Sequence, residues 1–431
     1  MIKIIVAGCG HGGLTAAANL AEKGYDVTVY EKCKREELGY DWHDSVSTSL
    51  FAEAGLPAPD ESVFLPPDRM CYYNPKKNVK VVPDLQEITG YAYISRKFLI
   101  NYLIDHALEC GVKIIFECKI VSSICSADRV IGMRYIQNGE TKEVRGDLII
   151  DACGMFSPVR LSLPDKFMVS NKVDKNDVFY AWRGYFKKTD DTMTEPESNI
   201  YFYHCYHRGM DWAITKDGYM DILVGGFGEL TKENVEDAIA DFEAAFPCMG
   251  DTLINKPKSD KIPVGKSLPV FVCGGYAAVG NSAYMTEPLS GSGIDLSMYA
   301  GRLLAETVSV CENNFSAENL WMYNYLYIKN QAEKRYNSAI IKNLMASLNG
   351  KDIDFLMQKK IMTQKEIAGT GGKYTFAQNL QKLWLILRPR LFKPLINMLI
   401  KTKRAAKLKK SVPVDYTQSA IRKWNEDYAK I

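Results

Sequence analysis

The sequence predicts an α/β fold with a parallel sheet, an inserted antiparallel sheet and a helical C-terminal region. Three observations carry this prediction. A strand, a glycine-rich turn and a helix follow one another within the first 23 residues. A block of aromatic, alternating strands occupies residues 166–262. A basic segment interleaved with apolar residues lies near the C-terminus, where short helices are expected.

The composition is that of a globular protein without a strong charge bias. The 431 residues are 47% hydrophobic and 24% charged, which permits a sizeable core. A formal net charge of +3 gives no basis for nucleic-acid binding. The 11 cysteines form no CxxC pair, so we expect free thiols in a reducing cytoplasm. No apolar run approaches the ~18 residues that a membrane-spanning helix requires.

The N-terminal segment has the pattern of a dinucleotide-binding βα turn. In G-C-G-H-G-G, Gly8 permits the turn, Gly10 lets backbone approach a pyrophosphate, and Gly13 allows close helix–strand packing. Glu31 ends the next strand, 18 residues after Gly13, near the spacing of an acid that binds ribose hydroxyls. A Rossmann-type site is therefore predicted. Its residues are Gly8, Gly10, His11, Gly12, Gly13, Glu31 and Lys32.

Three further stretches follow in the chain. They read I-S-R-K-F-L at residues 94–99, D-A-C-G-M-F-S-P-V-R at 151–160, and V-G-N-S-A followed by E-P-L-S-G-S-G-I within 279–294. With the N-terminal pattern, they resemble in the same order the flavoprotein family of p-hydroxybenzoate hydroxylase and geranylgeranyl reductase. The resemblance covers about residues 1–310 and implies a Rossmann-type domain that binds FAD.

The resemblance also implies roles for single residues. Arg96 corresponds to an arginine near the phosphates or ribityl chain of the flavin. In the second stretch Gly154 matches the family pattern, but Cys153 replaces an aspartate, which weakens the expectation of NADPH use. In the third stretch Asn281 replaces an aspartate that contacts the ribityl chain. The glycine-rich turn would lie beside the isoalloxazine, and the helix from residue 294 would stabilise negative charge on the reduced ring. The cofactor residues implied in this third stretch are Gly280, Asn281, Pro288, Gly291, Ser292, Gly293 and Ile294.

The aromatic block resembles the sheet that covers the substrate face of the flavin in this family. Its tryptophan region is closer to the geranylgeranyl reductase branch, although the aromatic–proline pair of that branch is absent after Trp212. No residue stands out as an acid or base, so His43 and Trp212 are the catalytic candidates. His204 and His207 would face opposite sides of a strand, and no metal site is predicted.

The C-terminal segment 381–410 contains ten Lys or Arg residues and no Asp or Glu. Interleaved Trp, Leu and Phe residues favour binding to an anionic membrane surface, and a basic helix packed on the core is the alternative. We expect Pro389 and Pro394 to break the segment into short helices. The expected location is cytoplasmic, with peripheral membrane contact.

The leading hypothesis is a reductase that transfers hydride from reduced FAD to a double bond of a hydrophobic, isoprenoid-like substrate. Its electron donor would be NAD(P)H or a reduced protein. Alternatives are a flavin-dependent monooxygenase of an aromatic or lipid substrate, and a non-catalytic flavin- or lipid-binding protein at the membrane. The predicted FAD domain comprises residues 1–75, 91–165 and 263–335, the substrate sheet 76–90 and 166–262, and the helical region 336–431.

Overall fold

The computed structural model of the chain describes residues 1–82, 90–169, 172–190, 197–363, 384 and 388–431. Its strands are β1 (Lys3–Ala7), β2 (Asp26–Tyr30), β3 (His43–Ser47), β4 (Phe64–Leu65), β5 (Arg69–Tyr73), β6 (Lys80–Val81), β7 (Tyr91–Ser95), β8 (Lys113–Ile115), β9 (Lys119–Cys125), β10 (Val130–Gln137), β11 (Glu140–Arg145), β12 (Leu148–Asp151), β13 (Val178–Lys188), β14 (Glu197–Phe202), β15 (Met210–Thr215), β16 (Tyr219–Phe227), β17 (Met249–Leu253), β18 (Lys258–Pro263), β19 (Val272–Cys273) and β20 (Tyr276–Ala278). Its helices are α1 (His11–Glu22), α2 (Leu50–Ala54), α3 (Arg96–Glu109), α4 (Pro158–Leu161), α5 (Lys232–Ala245), α6 (Ile294–Val310), α7 (Ala317–Ser347), α8 (Gly350–Gln358), α9 (Phe392–Lys410) and α10 (Gln418–Tyr428).

The N-terminal sheet has the order β19-β20-β12-β1-β2-β8, and all its neighbours are parallel except β19 and β20. Its central strand β1 is apolar and buried on both faces because helices cover the sheet. α1 follows it immediately and packs against α3 and α6. Gly24, at φ +85°, lets the chain leave α1 and enter β2. The predicted strand–turn–helix–strand order is confirmed.

An eight-stranded sheet forms the second layer. Its order is β17-β13-β16-β15-β14-β5-β6, and β18 also pairs with β13. Neighbours are antiparallel except β14 and β5, which are parallel. The predicted fold class, a Rossmann-type domain with an inserted, largely antiparallel sheet and C-terminal helices, is confirmed. However, β5 lies within the predicted FAD segment 1–75 and pairs with the inserted sheet. The predicted segment 76–90 lies partly outside the described residues.

Helix α5 interrupts the block that was expected to be rich in strands. Thr231 caps it by accepting a hydrogen bond from the backbone of Asn234 and so forms a capping box. Ala238 and Phe242 are buried four residues apart, so one face of the helix packs on the large sheet. This capping and spacing were present in the sequence and indicate a helix.

The C-terminal region is helical, as predicted, but two details differ. α7 runs without interruption from residue 317 to 347, so a boundary at residue 335 divides a continuous helix. Pro394 does not end a helix, because it lies in the first turn of α9, where its missing N–H has no intrahelical partner to lose. Residues 381–383 and 385–387 of the predicted membrane segment lie outside the described residues.

All 11 cysteines are free thiols in this fold. None of the helices within the described ranges is long and apolar enough to cross a membrane.

Candidate functional site

The glycine loop joins β1 to α1 against the end of β12. Gly8 has φ +93°, and a Cβ there would lie 2.8 Å from the carbonyl oxygen of Ala152. A Cβ on Gly13 would lie 2.5 Å from the Cβ of Ala152, so the helix can approach β12 only without a side chain. Gly10 precedes α1, and no side chain caps that helix. The N-terminal N–H groups of α1 are therefore left for an anionic group.

Glu31 is buried at the end of β2, one strand away from the loop. Its carboxylate accepts hydrogen bonds from the N–H groups of Cys9 (2.8 Å) and Cys33 (2.9 Å). A carboxylate has about four acceptor sites, so two remain for ribose hydroxyls. Lys32 is exposed next to it. Glu31 therefore fits the predicted role of binding ribose hydroxyls, and it also links the glycine loop to β2.

Asp151 organises the segments around the end of β12. It opens the stretch 151–160, but no sequence pattern gave it a role. This fully buried carboxylate ends β12 and accepts four hydrogen bonds. Its donors are the N–H of Cys153 (3.0 Å) and the hydroxyls of Ser157 (2.6 Å), Tyr276 (2.8 Å) and Ser282 (3.0 Å). Ser282 in turn accepts from the N–H of Gly154 at 2.8 Å. Asp151 thus holds together the segments that carry Gly154, Gly280 and Asn281.

Arg96 and His11 lie close to each other at two helix N-termini. Arg96 begins α3, and its Nε donates to Asp44 Oδ2 at 2.5 Å. Its guanidinium also lies 5.4 Å from the ring centres of Tyr40 and Trp42. Burial, followed by the positive charge of Arg96, lowers the pKa of His11 to about 4, so the imidazole is neutral near pH 7. His11 Nε2 is buried without a partner in the described part of the chain, which leaves a polar atom for a ligand.

The glycine-rich turn at residues 287–293 leads into α6, as predicted. The N–H of Glu287 donates to Ser292 O at 2.7 Å, and the N–H of Gly291 donates to Glu287 O at 2.8 Å. Asp295, in the first turn of α6, accepts from the N–H of Ser47 at 2.8 Å, and burial raises its pKa. The turn is thereby fixed to β3, the strand that begins at His43. The remaining predicted residues of this stretch are the buried Pro288 and Ile294, the partly buried Gly293 and the exposed Ser292.

The two catalytic candidates lie around a buried arginine. The guanidinium of Arg183 is 4.7 Å from the ring centre of Trp42 and 5.3 Å from that of Trp212. Arg183 forms two hydrogen bonds with Asp221, at 2.8 and 2.5 Å. Burial, and then the charges of Lys216 and Arg183, lower the pKa of His43. The sequence indicated Arg183 only as a charged residue within a strand rich in aromatic residues.

A cavity of about 1170 Å³ opens between the two sheets and α5. Five of the predicted cofactor residues line it: Gly8, Glu31, Lys32, Gly154 and Asn281. The rest of the lining is mixed: Met155, Phe156, Trp182, Leu230, Val235 and Ile239 are apolar, and Lys119, Glu229, Lys232, Glu236, Asp260 and Lys261 are charged. The other predicted cofactor residues are not part of this lining: Gly10, His11, Gly12, Gly13, Arg96, Gly280, Pro288, Gly291, Ser292, Gly293 and Ile294. The cavity thus brings Glu31 and the glycine loop together with residues of the large sheet and α5.

The prediction that His204 and His207 face opposite sides of a strand is wrong. Residues 204–206 form a 3-10 turn, so both imidazoles reach Asp211, with nitrogen–oxygen distances of 2.8 and 2.9 Å. The second nitrogen of His204 lies 2.8 Å from Asp241 Oδ2 on α5. Burial alone would lower the pKa of His204, but hydrogen bonds with Asp211, Cys205 and Asp241 raise it to about 10. His204, Cys205 and Asp241 have the spacing of metal ligands, yet Lys77 pairs with Asp241, which favours an ion-pair network.

The fold and the glycine loop define a dinucleotide-binding protein. Residues 1–214 match the family model described as FAD binding domain. The chain is an FAD-dependent oxidoreductase that is similar to geranylgeranyl reductases, and FAD is its cofactor.

Particular relatives span most of the chain. It is 25% identical over 392 residues to the digeranylgeranylglycerophospholipid reductase of Haloferax volcanii, which covers 86% of this chain and 92% of that protein. The structure of a geranylgeranyl bacteriochlorophyll reductase-like protein from Thermoplasma acidophilum has a TM-score of 0.73 at 19% identity, covering 92% of this chain and 99% of that one. A flavin-dependent brominase has a TM-score of 0.61 at 16% identity, over 90% and 99% of the two chains. At these identities the two structures show the fold alone.

Proposed function

We propose that this FAD-dependent oxidoreductase reduces carbon–carbon double bonds of a hydrophobic, isoprenoid-like substrate. The observation that carries the proposal is the similarity to a digeranylgeranylglycerophospholipid reductase along nearly the whole of both chains. The aromatic side chains of the large sheet support a substrate with little polar surface.

In this proposal FAD lies along the edge of the N-terminal sheet. The first turn of α1 would hold the pyrophosphate and Glu31 the adenosine ribose. His11 Nε2 and Arg96 would face the ribityl chain that leads to the isoalloxazine. His11 Nε2 is a buried nitrogen that is left for a ligand, and Arg96 is the cation beside the glycine loop. The isoalloxazine would lie beside the turn 287–293.

Bound FAD, once reduced, supplies the hydride that a double bond accepts, and a proton completes the reduction. The lowered pKa of His43 favours its neutral imidazole, whose ring nitrogens can orient a substrate or a water molecule. The ring centres of Trp42 and Trp212 lie 4.7 and 5.3 Å from the guanidinium of Arg183. These residues would shape and dry the site. An electron donor, NAD(P)H or a reduced protein, would restore the reduced cofactor.

We further propose that α9 contacts an anionic membrane surface. Its exposed side chains include Ile396 and Leu399, at 52% and 57% exposure, together with Phe392 and Ile400. These four positions share one face of the helix, while Ala405 and Leu408 are buried. The helix contains seven Lys or Arg residues and no acid. Such a helix lies in the interface of a bilayer rather than across it, where an isoprenoid lipid would be found.

An anaerobic single-turnover experiment tests the reductase. The purified protein is reduced chemically and mixed with a geranylgeranyl lipid, and flavin absorbance is followed without oxygen. Reoxidation by the geranylgeranyl lipid, with none by its fully saturated counterpart, is the expected result. A flavin that stays reduced with both lipids until air is admitted contradicts the proposal.

A further inference from the structure

An ion pair from a distant helix holds the glycine-rich turn 287–293. The turn is closed by two backbone hydrogen bonds, and Glu287 takes part in both. Its carboxylate pairs with the guanidinium of Arg335 on α7. The side chains of Glu287 and Arg335 are only 17% and 15% exposed, so each charge depends on the other for stabilisation.

Helix α7 is attached to the N-terminal sheet about three turns before Arg335. The hydroxyl of Tyr323 donates to Ala278 O at 3.0 Å. The side chain of Asn324 accepts from the N–H of Phe271 at 2.9 Å and donates to Pro269 O at 3.0 Å. The position of Arg335 is therefore set by the same sheet that carries the glycine loop. The ion pair with Glu287 thereby fixes the turn 287–293 relative to that sheet.

We propose that Arg335 positions the turn 287–293 through Glu287 and, in the same ion pair, neutralises the charge of that carboxylate beside the flavin ring. The inference rests on the proposed placement of the ring beside this turn. The paired charges largely cancel at the ring, and loss of either partner leaves the other uncompensated. A carboxylate alone disfavours the added negative charge of reduced flavin, whereas a guanidinium alone favours it. The two single variants should therefore have opposite effects on the reduction potential.

The test is a dye-linked reductive titration of the purified holoproteins. Arg335→Gln should lower the midpoint potential of the bound flavin, Glu287→Gln should raise it, and the double variant should return close to the wild type. Loss of packing alone would move both single variants in the same direction. Arg134→Gln breaks an exposed Arg–Glu pair in the three-stranded sheet formed by β9, β10 and β11, and should leave the potential unchanged.

Shifts of the same sign in the two single variants, or no shift in either, overturn the proposal. If Arg335→Gln does not retain flavin, the titration is repeated with Arg335→Lys, which keeps the positive charge. Flavin retained at the wild-type potential supports the proposal, and a shifted potential despite the retained charge contradicts it. The titration contains no isoprenoid lipid, so its outcome is independent of whether the reductase assay succeeds.

Discussion

Single buried charges determine the shape of the site. Asp151 accepts four hydrogen bonds, and two of its donors, Ser157 and Ser282, themselves accept from backbone N–H groups. The hydroxyls of Ser157 and Ser282 therefore use their own protons to donate to the carboxylate of Asp151. A buried group with such a fixed set of partners is costly to alter.

Asp151→Asn should lower the free energy of unfolding by about 3 kcal/mol. The NH2 group of the asparagine would face the hydroxyl and N–H donors that now bind the carboxylate, and those donors have no other acceptor among the described residues. Flavin content should fall as well, since the loops with Gly154 and Asn281 lose their anchor. Urea unfolding and the flavin-to-protein absorbance ratio measure these effects. The matched control is Asp217→Asn at an exposed turn. Equal stability of the two variants would contradict the role of Asp151.

His204 makes the stability of the large sheet depend on pH. Its pKa is raised to about 10 in the folded protein, against ~6.5 when unfolded. Its contribution is therefore fully present below about pH 6.5 and is lost as the pH rises toward 10.

The difference in unfolding free energy between the wild type and His204→Gln should accordingly be larger at about pH 6 than at about pH 9.5. Denaturant unfolding at the two pH values measures it, and His106→Gln on α3 controls for loss of a histidine elsewhere. A difference that grows toward alkaline pH would show that His204 is not held as an imidazolium.

At the scale of elements, local patterns were readable from the sequence and distant pairings were not. The order β1–loop–α1–β2 was predictable because its glycines, its helix formers and Glu31 are neighbours in the chain. Arg183 and Arg335 were missed, since their partners Asp221 and Glu287 lie 38 and 48 residues away. Pro394 was misread because the start of α9 depends on the residues before it.

The role of α9 can be tested by exchanging its exposed apolar residues. Ile396→Asp with Leu399→Asp should reduce sedimentation with anionic vesicles several-fold, because two charges would enter the apolar face. Val310, an exposed apolar residue at the end of α6, provides the control Val310→Asp. Undiminished binding by the double variant would remove α9 as the contact surface.

At the scale of the whole molecule, two sheets with different tasks face one cavity. The N-terminal sheet presents the glycine loop and Glu31, and the large sheet with α5 presents both apolar and charged side chains. His204 and Asp241 fasten α5 to the sheet, and α7 links the N-terminal sheet to the turn 287–293. The large sheet was predictable as a unit. Its pairing with β5 was not, because parallel partners distant in sequence leave no local pattern.

The most direct test of the account is to identify what is added to the substrate. Reduced protein would be incubated with a geranylgeranyl lipid in the presence of air and a reducing donor, and the lipid analysed by mass spectrometry. The account predicts a product that has gained two hydrogens at each reduced double bond and no oxygen. A product that carries an added oxygen atom would contradict it and identify a monooxygenase instead.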